Sequence, residues 1–466
     1  MRIGSQLELS PAQISGLRQI VRDRLSTNDS VLEQHGRDES AYPPVKPWAV
    51  LYPLNTKEVS EILALCNSER IPVIAFGAGS SLEGHILPIH GGISLDMTQM
   101  NKILEVMPSD LMVRVEPGVH RMELNVRLAH EGLFFSVDPG ADATIGGMAA
   151  TGAAGTTTVR YGSMKDNVLA LTAVLADGTV INVGRGTRKL SAGYDLTRLI
   201  VGSEGTLAVI TELTLKVYGI PEKMSAAAVR FATLEQGVRA AAAIVQMGVN
   251  VARCEYLDPL NIRNVNKNSG LTLPELPTLF FEFHGSAAGV AEDAQTVGEI
   301  VAEFGGFDFE WTTDESERRK LWQARHDSYW SAIRNNPGKR IVSTDMAVPL
   351  SVLGDAVAAC NQILAAHRFP YGILGHVADG NFHCMVITDP TQPDELAEIR
   401  EITSEMTSKI ISMKGTCTGE HGIGLAKISA LVEETGAAAV NVMRMIKKAL
   451  DPNNILNPGK IMTEVE

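Results

Sequence analysis

Apolar and polar positions along this chain change period several times, and each change marks an element. Residues 11 to 25 carry apolar side chains at helical spacing among charged ones, which predicts a leading helix. Between residues 48 and 100 the pattern becomes strand, helix, strand: Ala49-Val50-Leu51-Tyr52, a helix from Thr56 to Ser68, then Pro72-Val73-Ile74-Ala75-Phe76. Thr56 is the expected N-cap, and Glu58 and Glu61 place negative charge in the first turns, where the helix dipole favours it. From 90 to 217 short β-rich runs follow: Met112-Val113-Arg114-Val115, Leu169 to Leu175, Val180-Ile181-Asn182-Val183 and Leu207-Ala208-Val209-Ile210. Gly-rich turns such as Ala176-Asp177-Gly178 separate them, so one mixed α+β domain is expected to end near Tyr218. Gly219-Ile220-Pro221-Glu222 reads as a linker, after which a strand (Ala226 to Phe231) and an Ala-rich helix (Leu234 to Met247) open a second domain. A last helix is expected at about 436 to 450, and Asp451 to Lys460 is too turn-rich for a core element, so it should run over a surface or across a cleft. No internal repeat or low-complexity tract interrupts this order.

With 466 residues and 45% hydrophobic content the chain can bury two cores. Its net charge of -13 is spread along the sequence and would repel a polyphosphate backbone, which argues against nucleic acid as a partner. Cys66, Cys254, Cys360, Cys384 and Cys417 are scattered and form no C-x-x-C pair, so free thiols in a reducing compartment are expected. The N-terminus lacks a continuous apolar stretch and no later run is long enough to span a bilayer. These features predict a cytoplasmic protein, with contact at a membrane surface left open.

Three glycine clusters carry the first candidate chemistry. Ala75-Phe76-Gly77-Ala78-Gly79-Ser80-Ser81-Leu82-Glu83-Gly84-His85 follows an apolar strand, where backbone N–H groups can cradle a pyrophosphate. A nicotinamide-binding βαβ unit would need a third glycine and then a helix. Position 82 is Leu, and Pro88, Gly91 and Gly92 forbid that helix, although Asp96 stands at a suitable distance. The second cluster runs from Pro139-Gly140 through Thr144, Gly146 and Gly147 to Gly152 and Gly155, and the third is Val201-Gly202-Ser203-Glu204-Gly205-Thr206-Leu207. Each alone reads more readily as tight turns; all of them let a backbone approach a flat or charged ligand closely.

The set of three in this order, with Tyr161-Gly162-Ser163 and Gly193-Tyr194-Asp195-Leu196, resembles the FAD-binding domain of the vanillyl-alcohol oxidase and p-cresol methylhydroxylase superfamily over roughly residues 40 to 462. The resemblance implies an α+β, two-domain flavoprotein: a PCMH-type FAD-binding domain with its N-terminal helix over 1–219, and a ferredoxin-like cap or substrate domain over 220–466 whose tail, about 445–462, returns to the FAD domain. FAD would lie extended, its pyrophosphate on the 77–81 loop and its ring toward the second domain. The cofactor contacts implied are Phe76, Gly77, Ala78, Gly79, Ser80, Ser81, Gly84, His85, Pro139, Gly140, Thr144, Gly146, Gly147, Gly152, Gly155, Tyr161, Gly162, Gly205, Ile210 and Asn457. Thr151 stands where many relatives carry Asn. His85 could in principle hold the flavin covalently, as histidines do in some branches, but is read here as a polar loop residue beside non-covalent FAD.

The second half offers a metal and a base. Residues 371 to 387 read as two apolar strands joined by Asp379-Gly380. With a two-residue turn, Ala378 faces Asn381, Val377 faces Phe382, and His376 lies directly opposite His383 with Cβ atoms ~5 Å apart, close enough for one ion. Gly415-Thr416-Cys417-Thr418-Gly419-Glu420-His421-Gly422-Ile423-Gly424 adds a carboxylate and a third histidine in a glycine-rich turn. Both motifs resemble those of the FAD-linked D-lactate, glycolate oxidase subunit and D-2-hydroxyglutarate dehydrogenase group. That resemblance implies His376, His383 and Glu420 as ligands of a divalent metal, for which two imidazoles and a carboxylate suit Zn²⁺ or Mn²⁺, and His421 as the base. It also implies that Arg325, on the predicted helix around Leu321 to His326, meets the substrate carboxylate. Relatives specific for 2-hydroxyglutarate tend to place a lysine two residues before the aspartate equivalent to Asp345; this chain has Ser343, which favours a short monocarboxylate.

The activity implied is FAD-dependent oxidation of a D-2-hydroxy acid, D-lactate foremost, by hydride transfer to flavin with metal assistance. Glycolate or a longer D-2-hydroxy acid is the alternative substrate, and a non-catalytic FAD-binding subunit of a larger oxidase the alternative of another class. The joint presence of Arg325, His376, His383, Glu420 and His421 argues against the latter. No nicotinamide site and no C-x-x-C-H haem attachment occurs, so electrons would leave to a quinone, a cytochrome or an electron-transfer flavoprotein, and a homodimer is left open.

Overall fold

The computed structural model describes residues 8–326 and 328–463. They divide into two compact units: the first takes the chain up to Ala154, Gly162–Ile220 and everything from Glu420; the second takes Gly155–Tyr161 and Pro221–Gly419. The first unit thus reclaims the chain well before the tail near 445 that the sequence suggests, and gives up a short piece of the second glycine cluster.

In the first unit, strands Ala49–Leu51, Ile93–Asp96 and Val73–Phe76 form a parallel sheet, edged by Leu25–Ser26. Helix Thr56–Glu69 buries Val59, Ile62, Leu63 and Cys66, one face at helical spacing, into the first of this unit's cores. Its cap is Asn55, whose side chain accepts from Glu58 N at 3.0 Å, one residue before the expected Thr56. The Thr56 hydroxyl donates instead to Thr211 at 3.0 Å. A five-stranded antiparallel sheet follows in the order Ile103–Met107, Met112–Val115, Val209–Lys216, Val168–Val174, Val180–Gly184. Its central strand starts at Val209 and runs to Lys216, beyond the expected 207–210: Val209, Ile210 and Thr211 are all buried, and burial alternates from Thr211 onward. Gly178, at φ 87°, makes the turn foreseen at 176–178.

Of the two paths expected for residues 451–460, over a surface or across a cleft, the open surface path is not the one taken. Val73 N donates to Ile455 O (2.7 Å) and Asn457 N to Val73 O (2.9 Å), which docks the segment beside strand Val73–Phe76 with Ile455, Leu456, Asn457 and Lys460 buried. Burial of so irregular a stretch is permitted because the Asp451 carboxylate accepts from Ile455 N (3.0 Å), Leu456 N (2.7 Å) and Lys447 Nζ (2.6 Å), satisfying groups that water would otherwise have to serve. The preceding helix, Ile428–Leu450, begins earlier than expected and kinks at Gly436 (φ 80°).

The second unit is built on an eight-stranded sheet whose principal path is Phe307–Thr312, Lys223–Arg230, Thr278–Gly285, Val251–Leu257, Tyr371–Gly375, Asn381–Thr388, Arg340–Ser343. Cys254, Tyr256, Leu279, Phe281 and Phe283 face a large apolar core, while Leu257, Phe280 and Trp322 belong to a second one on the other side. By strand alternation Arg253, Glu255, Glu282 and His284 share that second side, in strands that are otherwise apolar. Charges buried in such strands must be paired. None of the five cysteines is in a disulfide, as the sequence predicts, and all five are buried. No helix among the described residues is long and apolar enough to cross a membrane.

Candidate active site

The three glycine clusters, far apart in sequence, meet in the first unit. A Cβ on Gly77 would lie 2.3 Å from Thr144 Oγ1, one on Gly152 3.4 Å from Gly202 Cα, and one on Gly205 4.0 Å from Ala75 Cβ. Gly202 N and Glu204 N donate to Ala149 O and Ala150 O at 2.9 and 2.8 Å, and Asn457 Nδ2 ties the third cluster to the first through Glu204 O (2.7 Å) and His85 O (3.0 Å). The result is a side-chain-poor surface, from Phe76 through Ala78, Gly79 (φ 69°) and Ser80 to Pro139, Gly140, Gly146 and Gly147, that is only partly buried although buried strands flank it. A dinucleotide's pyrophosphate needs this kind of close backbone approach, so these residues fit FAD. Ser81 is taken by Asp38 (2.9 Å), and Gly84 packs against Leu425 and Tyr42. Ile210 is buried in its strand and Gly162 (φ 77°) abuts Asp166. Thr151 bonds back to Gly147 O at 3.2 Å.

Two buried carboxylates from the same clusters hold the His421 turn. Glu204 accepts from Ile423 N (2.7 Å) and Gly424 N (2.8 Å), and His85 Nε2 lies 3.4 Å from its Oε2. Gly422 (φ 84°) passes so close that a Cβ would come within 2.7 Å of both Glu204 and His85. Glu83 pairs with Lys427 Nζ at 2.7 Å, lies 3.5 Å from His421 Nδ1, and gives its carbonyl to Leu425 N at 2.8 Å. Burial opposes ionisation of both acids, but Lys427 and His421 hold Glu83, and His85 holds Glu204, below the ordinary carboxylate range. Burial likewise opposes a charge on His85, yet Glu204 keeps it above the ordinary imidazole range.

In the second unit, Arg325 does not stand alone on its helix, Glu315–His326. Its guanidinium is buried against Glu255, Nε to Oε2 at 2.8 Å with Nη2 on the same oxygen, and Nη1 reaches Ser328 Oγ at 3.4 Å. The other oxygen of Glu255 is 2.6 Å from His376 Nδ1. The two hairpin histidines are neighbours, ring centroids 5.7 Å apart and edge to face, but the predicted reason fails. Leu374, not His376, is opposite His383. Residues Val377–Asp379 form a 3-10 turn closed by Asp379 N and Asn381 N on His376 O, so the loop is longer than two residues and His376 leaves the strand before it. Gly380, at φ 75° with Val348 O 2.2 Å from where a Cβ would sit, fixes that turn. His383 Nδ1 meets Thr344 O at 3.0 Å and Asp345 Oδ1 at 3.8 Å; Asp345 is itself held by Asn381 Nδ2 (2.8 Å) and Thr418 Oγ1 (2.7 Å). With Nδ1 of both rings anchored, Nε2 is the atom each would turn to a metal. Glu420 and His421 belong to the first unit.

Tyr161 and Gly155, expected at the cofactor, fall in the second unit. Tyr161 OH is 2.8 Å from His284 Nδ1, His284 Nε2 is 2.7 Å from Glu282, and Glu282 also takes Arg318 at 2.9 Å. Glu255, Glu282 and His284 were legible as charges at alternate positions in apolar strands; Glu83 and Glu204 carried no signal beyond lying inside glycine clusters.

Residues 220–461 match the model of the FAD linked oxidases, C-terminal domain, and residues 47–184 that of an FAD binding domain. The chain is 44% identical to a probable mitochondrial D-lactate dehydrogenase of Danio rerio, over 96% of this chain and 91% of that protein. It is 39% identical to the mitochondrial D-lactate dehydrogenase [cytochrome] of Arabidopsis thaliana, over 98% and 81%. The structure of p-cresol methylhydroxylase with substrate bound shares the fold, with a TM-score of 0.79 at 16% identity over 97% of each chain. The expectation of a cytoplasmic protein is overturned by these relatives, which are named as mitochondrial. With clustered glycine loops in one unit, a histidine-bearing sheet in the other and matches spanning nearly its whole length, the chain belongs to the FAD-linked oxidases.

Proposed function

We propose that this protein oxidises D-lactate to pyruvate with FAD as the immediate electron acceptor, and passes the electrons on to a cytochrome. The identity to D-lactate dehydrogenases over almost the whole chain carries this reading, and the Arabidopsis relative's name supplies the acceptor. Ser343 supports a short substrate: its hydroxyl bonds Thr344 O at 3.2 Å and offers no cation for a second carboxylate.

Arg325 binds the substrate carboxylate and so fixes which hydrogen on C2 can leave. His421 takes the hydroxyl proton as C2–H is lost, so that the C–O bond becomes a carbonyl. His376, His383 and Glu420 would hold a divalent ion, Zn²⁺ or Mn²⁺, with Glu255 and Thr344 O orienting the two imidazoles. FAD, when bound, supplies the two-electron acceptor for the C2 hydride. The ion, when bound, lowers the cost of ionising the hydroxyl. His85 is buried with Nε2 3.4 Å from Glu204 Oε2, an enclosure that supports non-covalent FAD.

The test is anaerobic mixing of purified holoenzyme with D-lactate, L-lactate, glycolate and D-2-hydroxyglutarate. Rapid bleaching of the oxidised flavin band by D-lactate, and slow bleaching by the others, is expected. A fully flavinated protein that no member of the panel reduces would sink the proposal.

A further inference from the structure

We infer that Glu83, a residue of the first glycine cluster, is the positioning residue of His421; the inference rests on the reading of His421 as the base. Glu83 is buried, its Oε1 lies 3.5 Å from His421 Nδ1 and 2.7 Å from Lys427 Nζ, and its own carbonyl holds Leu425 N at 2.8 Å. The side chain and main chain of one residue therefore grip both flanks of the turn that carries His421. A Cβ on Gly424 would lie 2.2 Å from Glu83 O, so the close approach is built into the turn.

A carboxylate beside Nδ1 selects the tautomer with its proton there, which makes Nε2 the nitrogen able to accept the substrate hydroxyl proton. When that proton arrives, the imidazolium forms 3.5 Å from a fixed negative charge instead of in an uncharged wall. Lys427 keeps Glu83 ionised and aimed. The 3.5 Å separation is longer than a finished hydrogen bond, as is common for catalytic pairs without substrate. Since Glu83 lies between Gly79 and Gly84, the loop that cradles the cofactor also sets the base.

The experiment follows flavin reduction by D-lactate in the Glu83→Gln, His421→Ala and double-variant holoenzymes, with KM, FAD and metal content measured on each. Glu83→Gln is expected to slow reduction about 10–100-fold with FAD, metal and KM unchanged, and to cost nothing further in the His421→Ala background. In ¹⁵N spectra of histidine-labelled holoenzyme, His421 should change from one tautomer to a mixture in Glu83→Gln, a signature a merely structural residue would not move. Losses that multiply in the double variant, or a fast Glu83→Gln beside a slow His421→Ala, overturn this inference alone. A fast His421→Ala overturns the base reading and this inference with it. Should Glu83→Gln fail to keep FAD, Lys427→Met carries the test: a smaller loss that vanishes in the His421→Ala background supports the inference, and one that persists there overturns it.

Discussion

Arg325 and Glu255 form a buried ion pair, Nε to Oε2 at 2.8 Å, and the same carboxylate reaches His376 Nδ1 at 2.6 Å with its other oxygen. The residue assigned to the substrate and a residue assigned to the metal are thereby fixed by one acid. It also constrains how Arg325 can act: the Nε and Nη2 edge is committed to Glu255, so substrate has to be met from the Nη1 side.

Glu255→Ala should therefore hurt twice. Leaving the Arg325 guanidinium buried and unpaired is expected to destabilise the second unit by about 3–5 kcal/mol, read from urea unfolding. Metal affinity should fall about 10–100-fold because His376 loses the partner that orients it, read from metal titration of the folded variant. Arg325→Lys, by contrast, keeps the ion pair, and should lower kcat/KM for D-lactate by about 2–3 kcal/mol of transition-state stabilisation without changing metal content. Equal metal affinity in wild type and Glu255→Ala would show that the carboxylate serves Arg325 only.

Tyr161→Phe separates a cofactor contact from a structural one. The hydroxyl is engaged by His284 Nδ1 at 2.8 Å, so its removal leaves a buried ring nitrogen without that partner. A stability loss of about 1–3 kcal/mol is expected, with FAD content unchanged. Flavin lost on purification at full stability would make Tyr161 a cofactor contact.

How far the sequence could be read is clear from these residues. The period of apolar positions located strands such as Val73–Phe76 and helices such as Leu234–Gln246, because burial of one face dictates spacing. Glycine order pointed to FAD, which the match to an FAD binding domain supports. The hairpin argument reached the right neighbours by a wrong register, since Asp379-Gly380 signals a turn but not whether a 3-10 turn precedes it. The partners of Arg325 and His421, at positions 255 and 83, are remote in sequence, and no local pattern announces who neutralises a buried charge.

Acid should act on the second unit in two opposed stages. Burial raises Asp258 to about 6 in the folded protein, above its ordinary 3.8, so the folded state takes up the proton first and stability rises as pH falls through about 6. Burial also opposes a charge on Glu282, but Arg253 and its other partners outweigh it and hold this acid at about 2, below its ordinary 4.5. Its contribution, on the order of 3 kcal/mol, is complete above about 4.5 and is lost as pH falls toward 2. Unfolding free energy against pH should pass through a maximum at about pH 4, between the two ordinary carboxylate values, and Glu282→Gln should flatten the acid limb. A monotonic fall from pH 7 would contradict the Asp258 assignment.

The metal proposal stands or falls on the hairpin. His376→Ala and His383→Ala should each strip the ion and cut D-lactate turnover by similar large factors, while FAD stays bound. Gly380→Ala gives an independent route to the same result without touching a ligand: its φ of 75° is strained for any L side chain, and a Cβ would sit 2.2 Å from Val348 O, so the 3-10 turn that brings His376 back beside His383 must deform. It should lose metal in step with its loss of activity and keep its flavin. His421→Ala is expected to keep the metal and lose the chemistry, since a base need not be a ligand. Mass-spectrometric metal analysis of the four variants beside their flavin content decides it: full occupancy in both single histidine variants would make the pair structural, and metal loss in His421→Ala would move that residue from base to ligand.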